Sequence, residues 1–377
     1  MRYFIIAGEA SGDLHASNLM AALKKRDSNA EFCFLGGDLM QTQGGRMVKH
    51  YRDTAFMGFI PVLLNLRSVL TNIRSCKREI LSFRPDALIL VDYPGFNLKM
   101  AKFVKENLPD VAVYYYISPK LWAWKEYRIK SIKNYVDKVY SILPFEVDFF
   151  RKHNYEVEYV GNPCVDAIEN RKHKGESFSE FIERNRLENR PVIALLAGSR
   201  IQEIKSSLPI MLQAASGFKE HQLVIAGAPA VDRSVYESLL TSYTAKVIYN
   251  ETYELLQQSV LAIVTSGTAT LETALLSVPQ VVVYKMSGGK LLHRFLELFI
   301  KVPYISLVNL ISDRELVKEL IVEDFTVENV KSEIRNLLTP AYREKIIAGY
   351  RELIDSLGKE PVSDKTAGLI YAELGTI

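Results

Sequence analysis

The sequence predicts an α/β protein of two doubly wound parallel-sheet domains, and three observations carry that expectation. Short, wholly apolar strands alternate with helix-spaced segments along most of the chain. Two of those strands, Tyr3–Ala7 and Val192–Leu196, end in the same kind of small glycine turn, Ala7-Gly8-Glu9-Ala10-Ser11-Gly12-Asp13 and Ala197-Gly198-Ser199-Arg200, with a helical pattern after each. At 377 residues, the chain suits two cores rather than one.

In the first half, strands are expected at Arg2–Ala7, Glu31–Leu35, Ala87–Val91, Val111–Ile117, Val139–Ile142 and Glu156–Val160, with helices at Leu14–Arg26, Val62–Phe83 and Leu98–Leu108 between them. The polar stretch Glu169–Arg190 reads as a linker with a short helix. Beyond it, strands are expected at Val192–Leu196, Gln222–Ala226, Ala245–Tyr249, Leu261–Thr265 and Gln280–Tyr284. The tail from Ala341 to Leu374 is helical, broken near Gly358 and Pro361. These patterns put one domain at residues 1–168 and a second at 169–344, with the tail from about 345 to 377 packing back on the first.

Composition excludes several classes. A net charge of 47 − 44 = +3 is too small to argue for nucleic acid. Cys33, Cys76 and Cys164 are scattered and odd in number, which favours a reduced cytoplasmic setting. No apolar run reaches the ~20 residues a membrane-spanning helix needs. No paired ligands at metal-binding spacing, no D-x-D and no G-x-S-x-G occur, so neither a metal site, an organic cofactor nor a hydrolase nucleophile is expected.

Four stretches of the first half carry candidate chemistry. The turn at 7–13 offers Ser11, Gly12 and Asp13 either to a ligand or to the cap of the following helix. Asp92 stands at the end of the apolar strand Ala87–Val91, where partial desolvation suits a general base; the alternative is a turn aspartate before Pro94. Trp122, Lys125 and Arg128 place an aromatic beside cations, which suits a sugar, a phosphate or a base, or else a core strand leading into a solvated helix. Residues 56–70 are more apolar than a one-sided helix needs, which fits a membrane contact, an acyl pocket or a core helix. In the second half, Gly198, Ser199 and Arg200 form one phosphate-type turn, and Ser266, Gly267 and Thr268 form another. Glu272, a turn further on, suits the hydroxyls of a ribose or the helix dipole.

Taken in order, AGEASGD at 7–13, MGF at 57–59, Asp92 with FN at 96–97, ISPKLWAW at 117–124, LPFE at 143–146, GSR at 198–200, SGTATLE at 266–272 and YISLVNLISDRELVKEL at 304–320 make a nearly full-length set. The chain resembles the lipid-A-disaccharide synthases, glycosyltransferases of the GT-B type with two Rossmann-like domains facing a cleft. The resemblance implies an inverting, metal-independent transfer from UDP-2,3-diacylglucosamine to the 6-hydroxyl of 2,3-diacylglucosamine 1-phosphate. It implies that Asp92 is the base, that Arg200 and Glu272 contact UDP, and that Asn309 reaches donor phosphates across a homodimer with exchanged C-terminal segments. It implies a membrane patch of Ile60, Val62, Leu63, Leu66, Val69 and Leu70 on the inner face of the cytoplasmic membrane. Gly95 and Asn162 replace an acidic residue and a histidine common in that family, which shifts weight to Asp92, Glu9 and Asp13. A UDP-sugar epimerase, or a non-catalytic nucleotide-sugar binder, is the alternative.

Overall fold

Strands whose residues are apolar on both faces must be covered on both faces, and both sheets of this protein are built that way. A computed structural model describes residues 1–53, 66–122, 126–285, 303–358 and 360–375. The chain divides into two units, Met1–Ala167 with Lys359–Ile377, and Ile168–Gly358.

The first unit contains β1 (Arg2–Ala7), β2 (Glu31–Gly36), β3 (Arg46–His50), β4 (Ala87–Val91), β5 (Ala112–Tyr116), β6 (Lys138–Ser141) and β7 (Glu158–Tyr159), in the order β3-β2-β1-β4-β5-β6-β7. Every pairing is parallel. Side chains alternate across the sheet. Phe4, Ile6, Leu88, Leu90, Val113 and Tyr115 face one layer with Cys76 and Ile80 of the helix Leu66–Phe83. Tyr3, Ile5, Ile89, Val91, Tyr114 and Tyr116 face the other with Leu19 and Leu23 of the helix Ala10–Arg26.

The second unit contains β8 (Val192–Leu196), β9 (Gln222–Gly227), β10 (Ala245–Tyr249), β11 (Ser259–Thr265), β12 (Gln280–Tyr284) and β13 (Glu319–Ile321), again wholly parallel, in the order β10-β9-β8-β11-β12-β13. The polar stretch expected as a linker holds the helix Phe178–Arg184, opened by a reciprocal cap between Ser177 and Glu180, and Phe181 is fully buried in this unit's core.

The tail differs from the expectation. The helix Pro340–Leu357 belongs to the second unit, and the return to the first begins only at Lys359. The last helix, Val362–Leu374, lies on the helix Ala10–Arg26 and buries Val362, Ala367 and Ile370. Its start is held by Asp166, whose two carboxylate oxygens accept from the backbone N–H of Val362 at 2.9 Å and of Ser363 at 2.7 Å. An Arg26–Asp364 pair flanks it, but its side chains are 29% and 48% exposed, so it contributes at most about 1 kcal/mol. Burial and the Asp166 cap therefore do the holding. Asp166→Ala strands two buried N–H groups and is expected to cost about 2–3 kcal/mol in urea unfolding, with Asp166→Asn losing less because one acceptor remains. Equal stability of Asp166→Ala and wild type would exclude this anchoring.

Candidate active site

In a parallel sheet a ligand finds room at the carboxyl ends of two neighbouring strands whose connections leave in opposite directions. The first unit has that point between β1 and β4, and the second between β8 and β11. The turns at 8–13 and 92–93 leave the first; the turns at 197–200 and 265–267 leave the second.

At the end of β4 the backbone of Asp92 and Tyr93 is left-handed, φ 46° and 47°, and Ile117 beyond β5 is left-handed at 63°. For a β-branched residue this is a true outlier, and strain of this kind clusters at functional sites. The contacts that hold it are visible. The N–H of Asp92 donates to the Ile117 carbonyl at 3.2 Å, and the Asp92 carbonyl accepts from the Asn97 amide and the Tyr115 hydroxyl, both at 2.6 Å. The backbone of Asp92 is thus committed on both sides, and its carboxylate takes the Tyr93 N–H. Burial raises its pKa above the ordinary 3.8, while the Lys120 charge and the Tyr93 N–H act against the rise. A carboxylate so placed can take a proton from a hydroxyl. The Tyr93 ring lies over Gly8, where a Cβ would come within 2.3 Å of it, so the first turn needs glycine for close packing. Burial and then Glu9 raise the Tyr93 phenol, which places the Glu9 carboxylate on the same strand ends.

Two candidates in the first turn have other employment. Asp13 is buried, and its carboxylate accepts from the N–H groups of Gly37, Leu39 and Met40 at 2.8, 3.0 and 3.1 Å, which opens the helix Asp38–Thr42. Both oxygens accept backbone hydrogen bonds, so Asp13 caps that helix in this structure. Gly12 is buried, with Ala7 at 3.4 Å from a would-be Cβ, and serves helix–strand packing. Ser11 is exposed in the first helical turn. Arg128 acts electrostatically on Tyr115, which grips Asp92, so it belongs to this neighbourhood. Trp122 donates its indole N–H to Glu146 at 3.2 Å and packs edge-on against Phe145. Gly95 is exposed with open space above it, whereas Asn162 is buried in a turn, accepting from the Cys164 N–H at 3.1 Å. Lys125, Ile60, Val62 and Leu63 lie outside the described residues. Leu66 and Val69 fall on the helix Leu66–Phe83, and Leu70 on it is 42% exposed.

In the second unit Gly198 is left-handed, φ 108°, and a Cβ there would sit 2.6 Å from Glu203. The Glu203 carboxylate accepts from the Ser199 N–H at 3.1 Å and pairs with the Arg200 guanidinium at 2.9 Å. A carboxylate on a backbone N–H and an arginine at the start of the helix Ile201–Ala215 shows that this turn accommodates an oxyanion. At the second turn, Ser266 donates to the Ile305 carbonyl at 2.8 Å, and the helix Thr268–Leu275 starts at Gly267 with open space above it. Glu272 accepts from the Tyr253 hydroxyl at 2.8 Å, and burial raises its pKa. Its carboxylate has further lone pairs for a diol.

Asn309 sits inside the second unit. It is fully buried, donating to the Val317 carbonyl and Glu319 at 2.9 Å and accepting from the N–H groups of Leu316 and Val317 at 2.8 and 2.9 Å. Its amide is saturated, so it shapes the 306–319 loop. Among the described residues, no helix is long and apolar enough to cross a membrane.

Two parallel-sheet α/β units, each with a glycine turn at its switch point, define the GT-B architecture of glycosyltransferases and UDP-GlcNAc 2-epimerases. The UDP-GlcNAc 2-epimerase of Neisseria meningitidis bound to UDP-GlcNAc aligns over 100% of both chains with a TM-score of 0.68 and 15% identity. The calicheamicin glycosyltransferase CalG4 aligns over 100% of this chain and 98% of its own, with a TM-score of 0.59 and 15% identity. At such identity the likeness shows the fold alone. Sequence decides between the two classes. Residues 3–369 match the family model for lipid-A-disaccharide synthetase. The lipid-A-disaccharide synthase of Myxococcus xanthus (strain DK1622) is 36% identical over 374 residues, 97% of this chain and 96% of that one. The chain belongs to the lipid-A-disaccharide synthetase family and is a UDP-sugar glycosyltransferase.

Proposed function

We propose that this chain transfers 2,3-diacylglucosamine from its UDP conjugate to the 6-hydroxyl of 2,3-diacylglucosamine 1-phosphate. The observation that carries the reading is Asp92, a desolvated carboxylate locked at the switch point of the first unit. The first unit takes the acceptor and the second the donor. Asp92 removes the proton of the 6-hydroxyl as its oxygen bonds to the anomeric carbon of the donor. The bond from that carbon to the diphosphate breaks, and its electron pair leaves with UDP. The N–H groups of Gly198 and Ser199, the Arg200 guanidinium and the start of the helix Thr268–Leu275 receive the diphosphate charge, while Glu272 holds the ribose. Attack opposite the leaving group inverts the centre and yields a β-1,6 disaccharide 1-phosphate.

The acyl chains bring the enzyme to the inner face of the cytoplasmic membrane, where the apolar stretch 56–70 is the contact. The assembly is a homodimer with exchanged C-terminal segments, in which Asp166 of one copy would cap the last helix of the other instead of its own, and mass measurement in solution tests the dimer.

Purified protein incubated with acylated UDP-glucosamine and the monosaccharide phosphate is expected to yield a disaccharide phosphate and stoichiometric UDP by mass spectrometry. UDP release without a disaccharide, or no turnover, overturns the reading.

A further inference from the structure

To hold a diol, Glu272 must present a charged acceptor in a fixed direction, and a half-buried carboxylate does not keep that state unaided. Among the described residues no cation pairs with it, and burial pushes its carboxyl above the ordinary 4.5. The group that works against the rise is in direct contact: the Tyr253 hydroxyl donates to Oε1 at 2.8 Å. Tyr253 does not arrive there by closeness in the chain. It stands in the first turn of the helix Thr252–Gln257, which follows β10, whereas Glu272 stands on the helix Thr268–Leu275, which follows β11. Two further strands, β9 and β8, lie between β10 and β11. The left-handed Asn250, φ 61°, turns the chain off β10, and the fully buried Leu255 and Leu256 pack that helix on the core side of β9 and β11. Tyr253 itself stays partly exposed. A phenol suits the task for a chemical reason. It gives one hydrogen bond and brings no charge, so it grips one oxygen and leaves the carboxylate negative. A lysine or arginine in its place would neutralise Glu272 and compete with sugar hydroxyls for it. With Oε1 gripped, Oε2 keeps all its lone pairs and Oε1 keeps one, enough for two adjacent hydroxyls.

We infer that Tyr253 is a positioning residue of the donor pocket: its hydroxyl aims the Glu272 carboxylate at the ribose diol and so makes the site selective for a ribonucleoside diphosphate. The inference rests on Glu272 as the ribose contact, and the test reads the two apart.

Calorimetry on the full chain compares UDP with 2′,3′-dideoxy-UDP, which carries the same uracil and diphosphate but no diol. The ratio of the two affinities isolates the diol, because damage to the base contacts, the phosphate turns or the fold weakens both ligands alike. Wild type is expected to prefer UDP, and Glu272→Gln to lose most of that preference. Tyr253→Phe removes one hydroxyl and keeps the ring, and it is expected to lower the ratio by about 3–10-fold, chiefly through weaker binding of UDP. A partly unfolded Tyr253→Phe sample still gives the ratio, so the reading does not depend on the variant's stability. A wild-type ratio in Tyr253→Phe, with or without an equal loss for both ligands, overturns the inference alone and leaves Tyr253 as a tie between two helices. No preference for UDP in wild type, or an unchanged ratio in Glu272→Gln, overturns the ribose contact and the inference together.

Discussion

Asp92→Asn is expected to lower kcat by about 10²–10⁴-fold while UDP affinity stays within about twofold of wild type. The substitution is a fair test because asparagine tolerates the left-handed backbone at this position better than most residues, so the strand end keeps its shape. The Asn97 and Tyr115 bonds go to the backbone carbonyl and survive the change. Only the proton acceptor is lost. Wild-type kcat must then fall as the pH drops through the Asp92 pKa, because the base works ionised. Burial has raised that pKa, so the limb lies above the ordinary 3.8. Stability runs the other way. A carboxyl whose folded pKa exceeds its unfolded one stabilises the fold when protonated, and that contribution disappears as the pH rises through the folded value. The neutral amide introduced by Asp92→Asn escapes this loss, so the inactive variant is expected to melt higher than wild type at pH 7 and not at pH 3. Steady-state kinetics, UDP calorimetry and melting at both pH values check the set. An active Asp92→Asn variant would exclude Asp92 as the base.

How far the sequence shows this site depends on how local each part is. Val192–Leu196 and Ala87–Val91 are apolar at every position, a pattern that only a strand covered on both faces needs, and both strands stand as expected. Arg46–His50 and Glu319–Ile321 escape that reading. They are edge strands, paired on one side and half-exposed, so nothing forces an apolar run on them. Asp13 shows the limit for site residues. A carboxylate in a glycine turn looks the same whether it meets a substrate or a backbone, and the N–H groups it caps arrive from residues 37–40 only once β2 pairs with β1. The network around Asn309 is equally invisible locally, since its amide is saturated by residues up to ten positions later. Lys120, Tyr115 and Tyr253 escape sequence reasoning for the converse reason: each gains its role from a partner on another element. Glu203 alone has a local signal, an acidic side chain in the first turn of a helix and three residues beyond Arg200.

Arg200→Ala is expected to reduce kcat/KM about 10²–10³-fold and to weaken UDP binding, with stability within about 0.5 kcal/mol of wild type. The asymmetry follows from where the guanidinium sits. Its side chain is 53% exposed, and a pair with Glu203 in that setting is worth little. A donor diphosphate changes the balance. It brings more charge than one carboxylate and can be held by two parallel N–H bonds in a partly desolvated turn. Glu203 occupies the Ser199 N–H and the guanidinium in the structure, so the diphosphate must displace it, and the modest strength of the surface pair makes that displacement cheap. Lysine keeps the charge but not the fork, so Arg200→Lys is expected to recover only part of the loss. Glu203→Gln separates the two roles of the turn. Binding of UDP tightens if the carboxylate only competes with phosphate, and weakens if it chiefly aims the arginine. Unchanged UDP affinity in Arg200→Ala would place the diphosphate elsewhere, and the 198–200 turn would then be a helix start with no share in catalysis.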